Sequence, residues 1–506
     1  MTSWDRRLIP VLTAEQARAL DRAAIDAGTE SFELMRRAGD RLAHLLLGTV
    51  PDLRQRPIQV VVGPGNNGGD GWVAAAALAR AGCTVRVSGA SPKTDDAARA
   101  KSLCPNEIAG VVENPHVVLD AVLGTGAAGE YRPEIRELIE IIRGASSAIR
   151  VAVDLPSGLD ATTGAAAEGC PAADLTVTFG SWKQGQLFRR DLVGELSCLD
   201  IGLPAPGAVP VAPEDRWVHA AAPEPGALAT KNERRRLIIV GGGEGMAGAT
   251  ILSARGAFGS GVGMVRCYVH PTSLGAVNAG APQATALRWP DSVPSADDLR
   301  WGHAMVIGPG FGIAAAREAL LGWLTAFPGP VVVDADALTA LVGRLEEFTA
   351  VRAGRVTLLT PHAAEAGRLL ECGVDEVRSD PFTAVTALVA KAGCAVLLKG
   401  VPSLVSDGER TFVVPRGGPV LGVGGSGDLL SGMAGALLAQ LGEGCTGAVV
   451  AASVHGRAAE LATGGGPWRG LTLDHVIGSL PAAWAERPAE PAEFVLGRLS
   501  RVVPRA

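Results

Sequence analysis

An aspartate late in the chain stands where it can take part in phosphoryl transfer. The segment GGSGD (424–428) directly precedes an apolar run that is predicted to form a helix. Free amides at a helix N-terminus bind phosphate, and a carboxylate in the first turn can accept a hydroxyl proton as phosphate arrives. The alternative is that Asp428 only caps the helix. The spacing supports both interpretations equally. Asp428 is a candidate catalytic base on that footing.

A glycine-rich loop near the start of the chain offers a second binding feature. GPGNNGGDG (63–71) lies between an apolar run and a predicted helix. Its glycines let backbone N–H groups approach a phosphate, although a tight turn is the plainer alternative. The loop fits G-x-G-x-x-G, yet the following strand, VRVSGAS (85–91), supplies no acidic residue for a ribose. An ordinary NAD fingerprint is therefore not indicated.

Polar residues follow further strands of the same region. DAVLGTG (120–126) and DLPSGLDATTG (154–164) both come after apolar runs. Ligands of open α/β sheets bind outside the carboxyl ends of the strands, so Asn67, Asp120, Asp154 and Ser157 can converge. They offer several oxygens and no thiolate or imidazole, which suits a hard cation. The alternative is that the aspartates cap helices or brace loops.

The elements that position these residues form two α/β series. In the first, strands are predicted at 58–62, 117–123, 150–155 and 175–179, and helices at 13–47, 72–81 and 134–143. In the second, strands are predicted at 236–240, 304–308, 331–335, 356–360 and 395–399. Apolar strands alternating with helices indicate parallel sheets that are covered on both faces.

A Pro- and Ala-rich segment, 203–229, separates the two series. It shows no strand or amphipathic helix, so we place the domain junction there and expect few core contacts to cross it. The predicted domains are 1–210 and 228–506. Both begin with a strand, a glycine loop and an Ala-rich helix, but their later motifs differ, which indicates two different α/β domains and not a duplication.

Composition excludes several classes of protein. The net charge is −6 and no basic run occurs, so we expect no nucleic-acid partner. The eight cysteines are scattered, which argues against a zinc site or disulfide framework and favours the cytoplasm. No apolar stretch is long enough for a membrane span, and the first residues lack the apolar region of a signal peptide.

The first series resembles the NAD(P)H-hydrate epimerase family over roughly residues 10–205. The ordered motifs are GPGNNGGDGWVAA, DAVLGTG, DLPSGLDATTG and ADLTVTFGSWKQG (173–185). The resemblance implies a Rossmann-like three-layer α/β/α domain that interconverts the R and S epimers at C6 of the hydrated nicotinamide ring. It implies potassium binding by Asn67, Asp120 and Ser157, and an acid–base role for Asp154. Departures from the family pattern occur at Arg36 and Ala127.

The same resemblance assigns a set of residues to the hydrated dinucleotide. They are Asn66, Asn67, Gly68, Gly69, Asp70, Gly124, Thr125, Gly126, Ala127, Ala128, Gly129, Glu130 and Asp154.

The second series resembles the NAD(P)H-hydrate dehydratase branch of the ribokinase superfamily, over about residues 228–485. The ordered motifs are GGGEGMAGA, GPGFG, DADAL, TPHAAE, LKG and GGSGD. The resemblance implies that ADP phosphorylates the C6 hydroxyl of the S hydrate, that Mg²⁺ bridges the donor phosphates, and that phosphate then leaves. Asp428 would activate the hydroxyl.

Two residue sets follow from this second resemblance. The hydrated nucleotide is assigned to Ala249, Gly310, Gly312, His362 and Asp428. The ADP site is assigned to Lys399, Gly400, Val401, Pro402, Ser403 and Gly427. Without its motif, His362 is more simply interpreted as a loop-capping histidine.

Together the resemblances predict a fused repair enzyme for hydrated NADH and NADPH, acting on small molecules and assembling as a homo-oligomer. One alternative is a ribokinase-superfamily small-molecule kinase fused to a dinucleotide-binding domain, which leaves the first half unexplained. Another is a non-catalytic dinucleotide sensor or scaffold, against which the carboxylates in the glycine loops argue. Recovery of NADH absorbance from acid-treated NADH and ADP would distinguish the three.

Overall fold

The computed structural model describes residues 5–105, 108–127, 129–289, 293–352, 354–488, 490 and 492–501. The chain forms two compact units. Unit 1 comprises residues 1–214 and 489–506, and unit 2 comprises residues 215–488. Within the described ranges, no helix combines the length and apolar character needed to cross a membrane.

The strands are numbered in chain order. They are β1 Leu8–Leu12, β2 Ile58–Val62, β3 Val85–Gly89, β4 Val117–Ala121, β5 Ile149–Val153, β6 Leu175–Phe179, β7 Trp182–Lys183, β8 Glu195–Leu199, β9 Val211–Pro213, β10 Arg236–Val240, β11 Met264–Val269, β12 Thr285–Arg288, β13 Ala304–Ile307, β14 Val331–Val333, β15 Thr357–Leu359, β16 Ala395–Leu398, β17 Ser403–Ser406, β18 Thr411–Val414 and β19 Val495–Leu499.

The helices are numbered in the same way. They are α1 Ala14–Asp26, α2 Ser31–Thr49, α3 Asn66–Arg80, α4 Asp95–Ser102, α5 Pro133–Gly144, α6 Gln184–Phe188, α7 Arg190–Val193, α8 Asp215–Ala221, α9 Ala247–Gly259, α10 Leu274–Gly280, α11 Ala296–Leu299, α12 Ile313–Ala326, α13 Ala335–Ala340, α14 Leu345–Arg352, α15 Ala363–Leu370, α16 Val374–Ser379, α17 Pro381–Ala392, α18 Ser426–Leu441, α19 Gly444–Thr463 and α20 Leu473–Ala485, with 3₁₀ turns at Leu53–Gln55, Pro271–Ser273 and Pro419–Leu421.

Unit 1 is built on a seven-stranded sheet in the order β19-β8-β6-β5-β4-β2-β3. All neighbours are parallel except β19, which runs antiparallel to β8. Alternate residues of β2 face opposite cores: Val60 packs with α2 and α3, and Val61 packs with α5. Unit 1 is thus a three-layer α/β/α fold, as the sequence predicted. The direction of winding, in which successive strands are added to the sheet, reverses between β2 and β4, the position where open α/β sheets bind ligands.

The last strand shows that unit 1 is discontinuous in sequence. Val495 lies opposite Leu199 and is buried in the same core as α2 and α3. Phe494 meets His44 edge to face with ring centroids 5.1 Å apart, and Arg501 pairs with Asp174. The predicted second domain, 228–506, therefore differs from unit 2, because β19 completes the sheet of unit 1.

We expect Val495→Asp to destabilise unit 1 and to leave unit 2 unchanged. Burial of a valine side chain contributes about 1.5–3 kcal/mol, and a buried carboxylate adds a desolvation cost. Hydrogen exchange followed by mass spectrometry should show lost protection in β8 and retained protection in β10. Arg498→Asp is the matched control, since Arg498 is exposed on the same strand. Unaltered β8 protection in Val495→Asp would show that the strand contributes little.

Unit 2 contains a sheet in the order β12-β11-β10-β13-β14-β15-β16-β17-β18. The strands from β12 to β16 are parallel, and β17 and β18 form an antiparallel extension. The direction of winding reverses between β10 and β13. Two glycine loops, GGGEG (241–245) and GPGFG (308–312), follow these strands and therefore meet at the ligand-binding position of such sheets.

Helices α9 and α18 approach each other closely because both carry glycine at the contact. A Cβ on Gly432 would lie 1.8 Å from the Ser253 carbonyl oxygen, and one on Gly256 would lie 2.2 Å from that of Leu429. No side chain fits at either position without backbone movement. This packing fixes the start of α18, where Asp428 lies.

Three predicted boundaries differ from the structure. The helix predicted at 13–47 is two helices, separated near Gly28, which has a φ of +99°. Helix α3 begins at Asn66 and not at 72, because the glycines of its first turns allow close packing that outweighs their low helix propensity. The segment 203–229 contains β9 and α8, where Trp217 packs on Phe412 with ring centroids 5.3 Å apart.

Candidate functional site

A cavity of about 850 Å³ opens in unit 1 at the reversal between β2 and β4. Its volume is that of a small-molecule site. The start of α3, the loop after β4 and the residue after β5 form one wall, and α1 and α2 contribute others. The residues predicted from sequence that line it are Asn66, Asn67, Asp70, Gly124, Thr125, Gly126, Ala127, Gly129, Glu130 and Asp154.

The remaining predicted residues of unit 1 lie elsewhere. Gly68 packs against the Gly63 carbonyl, where a Cβ would come within 2.0 Å of the oxygen, and Gly69 packs against Met35. Neither lines the cavity, so these glycines serve close packing. Ala128 lies outside the described residues. Arg36 is bound by Glu33 and Asp40 on the surface of α2, away from the cavity lining.

Asp120 and Ser157 are joined by hydrogen bonds at the ends of β4 and β5, and both they and Asn67 border the loop after β4, where Leu123 N donates to Ser157 Oγ and a Cβ on Gly124 would lie 3.2 Å from Asn67. The Ser157 hydroxyl donates to Asp120 Oδ1 at 2.5 Å, and the Ser157 amide donates to Oδ2 at 2.8 Å. Burial raises the pKa of Asp120 to about 6, and the hydrogen bonds from Ser157 partly oppose this shift. Both amide atoms of Asn67 are buried and have no hydrogen-bond partner among the described residues.

Asp154 is held by a buried ion pair that sequence reasoning missed. Lys183 Nζ lies 2.7 Å from Asp154 Oδ1 and 2.6 Å from Thr178 Oγ1, and Thr178 donates to the same carboxylate oxygen at 2.9 Å. Gln186 donates to the Asp154 carbonyl at 2.6 Å. Asp154 also has a φ of +66°, a strained conformation for a residue other than glycine. Such strain is typical of functional sites.

Two further carboxylates, Asp70 and Asp21, line the same cavity. Burial, and then the charges of Asp154 and Asp21, raise the pKa of Asp70 well above its usual range. Burial likewise raises the pKa of Asp21. The cavity therefore holds several carboxyl groups near the buried Lys183, an arrangement that separates their protonation states.

In unit 2, the two glycine loops are joined by backbone hydrogen bonds. Gly243 N donates to the Gly310 carbonyl at 2.6 Å, and a Cβ on Gly310 would lie 3.0 Å from that of Ala249. Gly312 N donates to Asp336 Oδ2 at 2.8 Å. Ala249, Gly310 and Gly312, all predicted from sequence, thus lie around one junction.

A charged cluster lies at the carboxyl ends of β14, β15 and β16. Lys399 Nζ is 2.7 Å from Asp334 Oδ1 and 3.9 Å from Glu365 Oε2. Burial disfavours the charge on Lys399, but Asp334 and Glu365 outweigh it and raise its pKa. Lys399 therefore remains an ammonium in a cluster with an excess of carboxylates.

Asp428 lies in the first turn of α18, beside this cluster. A Cβ on Gly427 would lie 3.2 Å from Lys399 Nζ, which brings the GGSGD turn against the lysine. Burial, followed by the charge of Asp334, raises the pKa of Asp428 to about 7, and Lys399 partly opposes this shift. A carboxylate with a pKa near neutrality is suited to general-base catalysis.

His362 caps helix α15, as the plainer interpretation expected. Its Nδ1 accepts from the amides of Ala364 and Glu365 at 3.1 and 3.2 Å. Nδ1 is thus an acceptor, and the other ring nitrogen, Nε2, is a donor on a half-exposed side chain and lies 3.6 Å from Glu365 Oε1.

The neighbouring 399–403 loop is closed by mutual hydrogen bonds between Gly400 and Ser403, with a cis peptide before Pro402. Val401 at its tip is 75% exposed and is accessible to a ligand.

Sequence reasoning missed Lys183, Asp21, Asp334, Asp336 and Glu365 as members of these clusters. A usable signal existed for Asp334 and Asp336, because DADAL directly follows β14 in the same way that the recognised aspartates follow β4 and β5. Lys183 gave no such signal. It lies on β7, 29 residues from Asp154 in the sequence, and it reaches Asp154 beside Thr178 of β6, the neighbour of β5 in the sheet.

Comparisons with known proteins cover both units. The family described as NAD(P)H-hydrate dehydratase matches residues 237–481, and the family described as YjeF-related protein N-terminus matches residues 31–185. A bifunctional NAD(P)H-hydrate repair enzyme from Vibrio cholerae is 34% identical, over 90% of this chain and 94% of its own. One from Escherichia coli is 32% identical over 92% of each chain.

Among solved structures, an ADP/ATP-dependent NAD(P)H-hydrate dehydratase from Bacillus subtilis is 24% identical. It covers 53% of this chain and 96% of its own, with a TM-score of 0.48.

Proposed function

This chain belongs to the family of bifunctional NAD(P)H-hydrate repair enzymes, and we propose that its two units divide the repair between them. Unit 1 interconverts the R and S epimers at C6 of hydrated NADH and NADPH. Unit 2 returns the S hydrate to NADH or NADPH at the expense of a nucleotide. The observation that carries this proposal is that relatives named for the combined repair activity align over 90% and 92% of this chain.

In unit 1, the cavity lining receives the hydrated dinucleotide, with its nicotinamide ring near Asp154. Asp154 lines the cavity, and its Oδ1 is paired with Lys183 Nζ at 2.7 Å. A buried carboxylate that is paired on one oxygen can still accept a proton on the other. This arrangement supports an acid–base role for Asp154 at C6.

Asn67, Asp120 and Ser157 fit a potassium ion. A buried amide without a partner costs about 1–3 kcal/mol, and a bound ion is one of the ordinary explanations for it. Asn67 Oδ1, a buried carboxylate and a hydroxyl are oxygen donors that suit a hard cation. The ion would hold Asp120 ionised and fix the loop that follows β4.

Potassium should stabilise unit 1. An ion present at 100 times its dissociation constant stabilises the folded state by about 2.7 kcal/mol. We expect K⁺ to raise the melting temperature of unit 1 more than Na⁺ or choline does, and Asn67→Ala to abolish that difference. Equal melting temperatures in all three salts would contradict the site.

Asp120→Ala should slow epimer exchange and leave dehydration of the pure S epimer near wild type.

In unit 2, Asp428 takes the proton of the C6 hydroxyl while the amides of the GGSGD turn hold the phosphoryl group. Lys399 and the 399–403 loop, with Gly427, bind the donor phosphates, and Ala249, Gly310, Gly312 and His362 contact the hydrated nucleotide. Phosphate then leaves C6 and the dihydropyridine is restored.

A divalent cation fits the same site. Asp334, Asp336, Glu365 and Asp428 together outnumber the single ammonium of Lys399, an excess of oxygen ligands that suits Mg²⁺. When bound, the ion would neutralise charge on the donor phosphates.

ADP is the proposed donor. A panel of nucleotides, added to acid-treated NADH with the full chain and Mg²⁺, tests both the reaction and its donor. We expect recovery of absorbance at 340 nm with ADP. Recovery with ATP alone would change the donor, and no recovery with any nucleotide would contradict the proposed dehydratase.

A kinase fused to a dinucleotide-binding domain is not favoured, because it leaves the paired Asp154 and Lys183 without a role. Eight free cysteines fit the proposed cytoplasmic location. The homo-oligomer stays a prediction.

A further inference from the structure

The carboxylates in the unit 1 cavity occupy unlike environments. Asp154 follows β5 and is hydrogen bonded to the Lys183 ammonium through Oδ1. Asp70 lies in the second turn of α3 and makes no side-chain hydrogen bond to the described residues. Both side chains line the cavity. One carboxyl group therefore has a cationic partner and the other has none.

Charged side chains on three other segments of unit 1 act on Asp70. Asp21 on α1 and Asp154 after β5 add negative charge, and Lys183 of β7 adds positive charge. Lys183 is already engaged by Asp154 and Thr178. Burial and the two aspartates outweigh the lysine, and the pKa of Asp70 lies well above its usual range. Asp70 can thus enter the reaction with its proton in place.

We propose that Asp70 is the proton donor of epimerisation and that Asp154 is the base that accepts a proton from the incoming water. This proposal rests on the proposed epimerase function. Two carboxyl groups with separated protonation states are the usual means of assigning acid and base in one site. Inversion at one carbon requires departure from one face of the ring and addition to the other, so a donor and a base are both needed, and Asp70 and Asp154 line the same cavity.

The step balances without a redox partner. Asp70 protonates the C6 hydroxyl, the C6–O bond breaks, and its electron pair leaves with water. The lone pair of N1 forms the C6=N1 bond of an iminium ion. A second water adds to the opposite face of C6, and the electrons of the C6=N1 double bond return to N1 as its lone pair. Asp154 takes the proton that the added water loses. Solvent returns the proton from Asp154 to Asp70.

The test measures exchange of purified R hydrate to S hydrate by the full chain, by chromatography, across a pH series. The rate should fall at alkaline pH as Asp70 loses its proton. Asp70→Asn should lower the rate by about 10²–10⁴-fold. It should also remove the alkaline limb, which is the fall in rate at high pH. Asp70→Glu should restore part of both. Asp21→Asn should displace the limb to lower pH, because the charge of Asp21 favours the protonated form of Asp70.

A second readout follows the oxygen atom. In water enriched in ¹⁸O, each inverted molecule should carry one solvent oxygen at C6, above a control without enzyme. Retention of the original oxygen would overturn the proposal, because it would mean that the C6–N1 bond opens instead.

Exchange by Asp70→Asn within a few-fold of wild type, with the alkaline limb intact, would also overturn the proposal. Nucleotide-dependent dehydration and the melting profile of each variant show whether the chain is folded. If Asp70→Asn is unfolded, two other results decide whether the proposal holds. They are the pH at which exchange by Asp21→Asn falls and the incorporation of ¹⁸O by the wild type. Absence of exchange in the wild type would instead refute the proposed epimerase.

Discussion

Asp428→Asn should reduce nucleotide-dependent recovery of NADH by about 10²–10⁴-fold, the usual cost of losing a general base. Asparagine keeps the size of the side chain and much of its capping ability, but it cannot take a proton near neutral pH. Nucleotide affinity should change little, because Lys399 and its loop are untouched. Epimer exchange in unit 1 should be that of the wild type.

The pH dependence of the wild type gives an independent check on Asp428. Its pKa is raised to about 7, so dehydration should increase as the pH rises through that value and the carboxylate forms. The same ionisation is unfavourable in a buried site, so above pH 7 Asp428→Asn should melt at the same temperature as the wild type or higher. If nucleotide-dependent recovery of NADH by Asp428→Asn stays within a few-fold of wild type, Asp428 is only a helix cap and not the base.

Lys183→Met should reduce epimer exchange by about 10²-fold or more. The substitution preserves most of the buried volume but leaves Asp154 without its cationic partner, and loss of one partner of a buried ion pair costs about 3–5 kcal/mol.

Lys93→Met is the matched control for this variant. Lys93 lines the same cavity but is exposed, so its loss should have a far smaller effect on exchange. Dehydration of the S epimer should be unchanged in both variants. Equal loss of exchange in both, or none in Lys183→Met, would contradict the role of the buried pair.

The sequence predicted the features that depend on local order. Asp120, Asp154 and Asp428 were found because each adjoins an apolar run and a glycine loop, and parallel strands bring their carboxyl ends to one edge. The centres of β2, β4, β5, β6, β10, β13, β14, β15 and β16 were predicted for the same reason, since buried parallel strands form continuous apolar runs, whereas the other strands were not predicted.

Features that depend on distant parts of the chain were missed. The pairing of β19 with β8 joins segments about 300 residues apart, and nothing local in VLGRL marks that partner. The early start of α3 was missed because Gly68, Gly69 and Gly71 have low helix propensity, and only the packed structure shows what they accommodate.

The central claim is that both activities reside in one chain, and the completeness of repair tests it most directly. Acid-treated NADH containing both epimers is incubated with ADP and Mg²⁺, and absorbance at 340 nm is followed to its end. The full chain should recover the whole pool in one continuous phase. Asp154→Asn should recover the S fraction at the normal rate and then slow to the spontaneous rate of epimer exchange. A wild-type reaction that stops at the S fraction, or an Asp154→Asn reaction that runs to completion at the wild-type rate, would contradict the account.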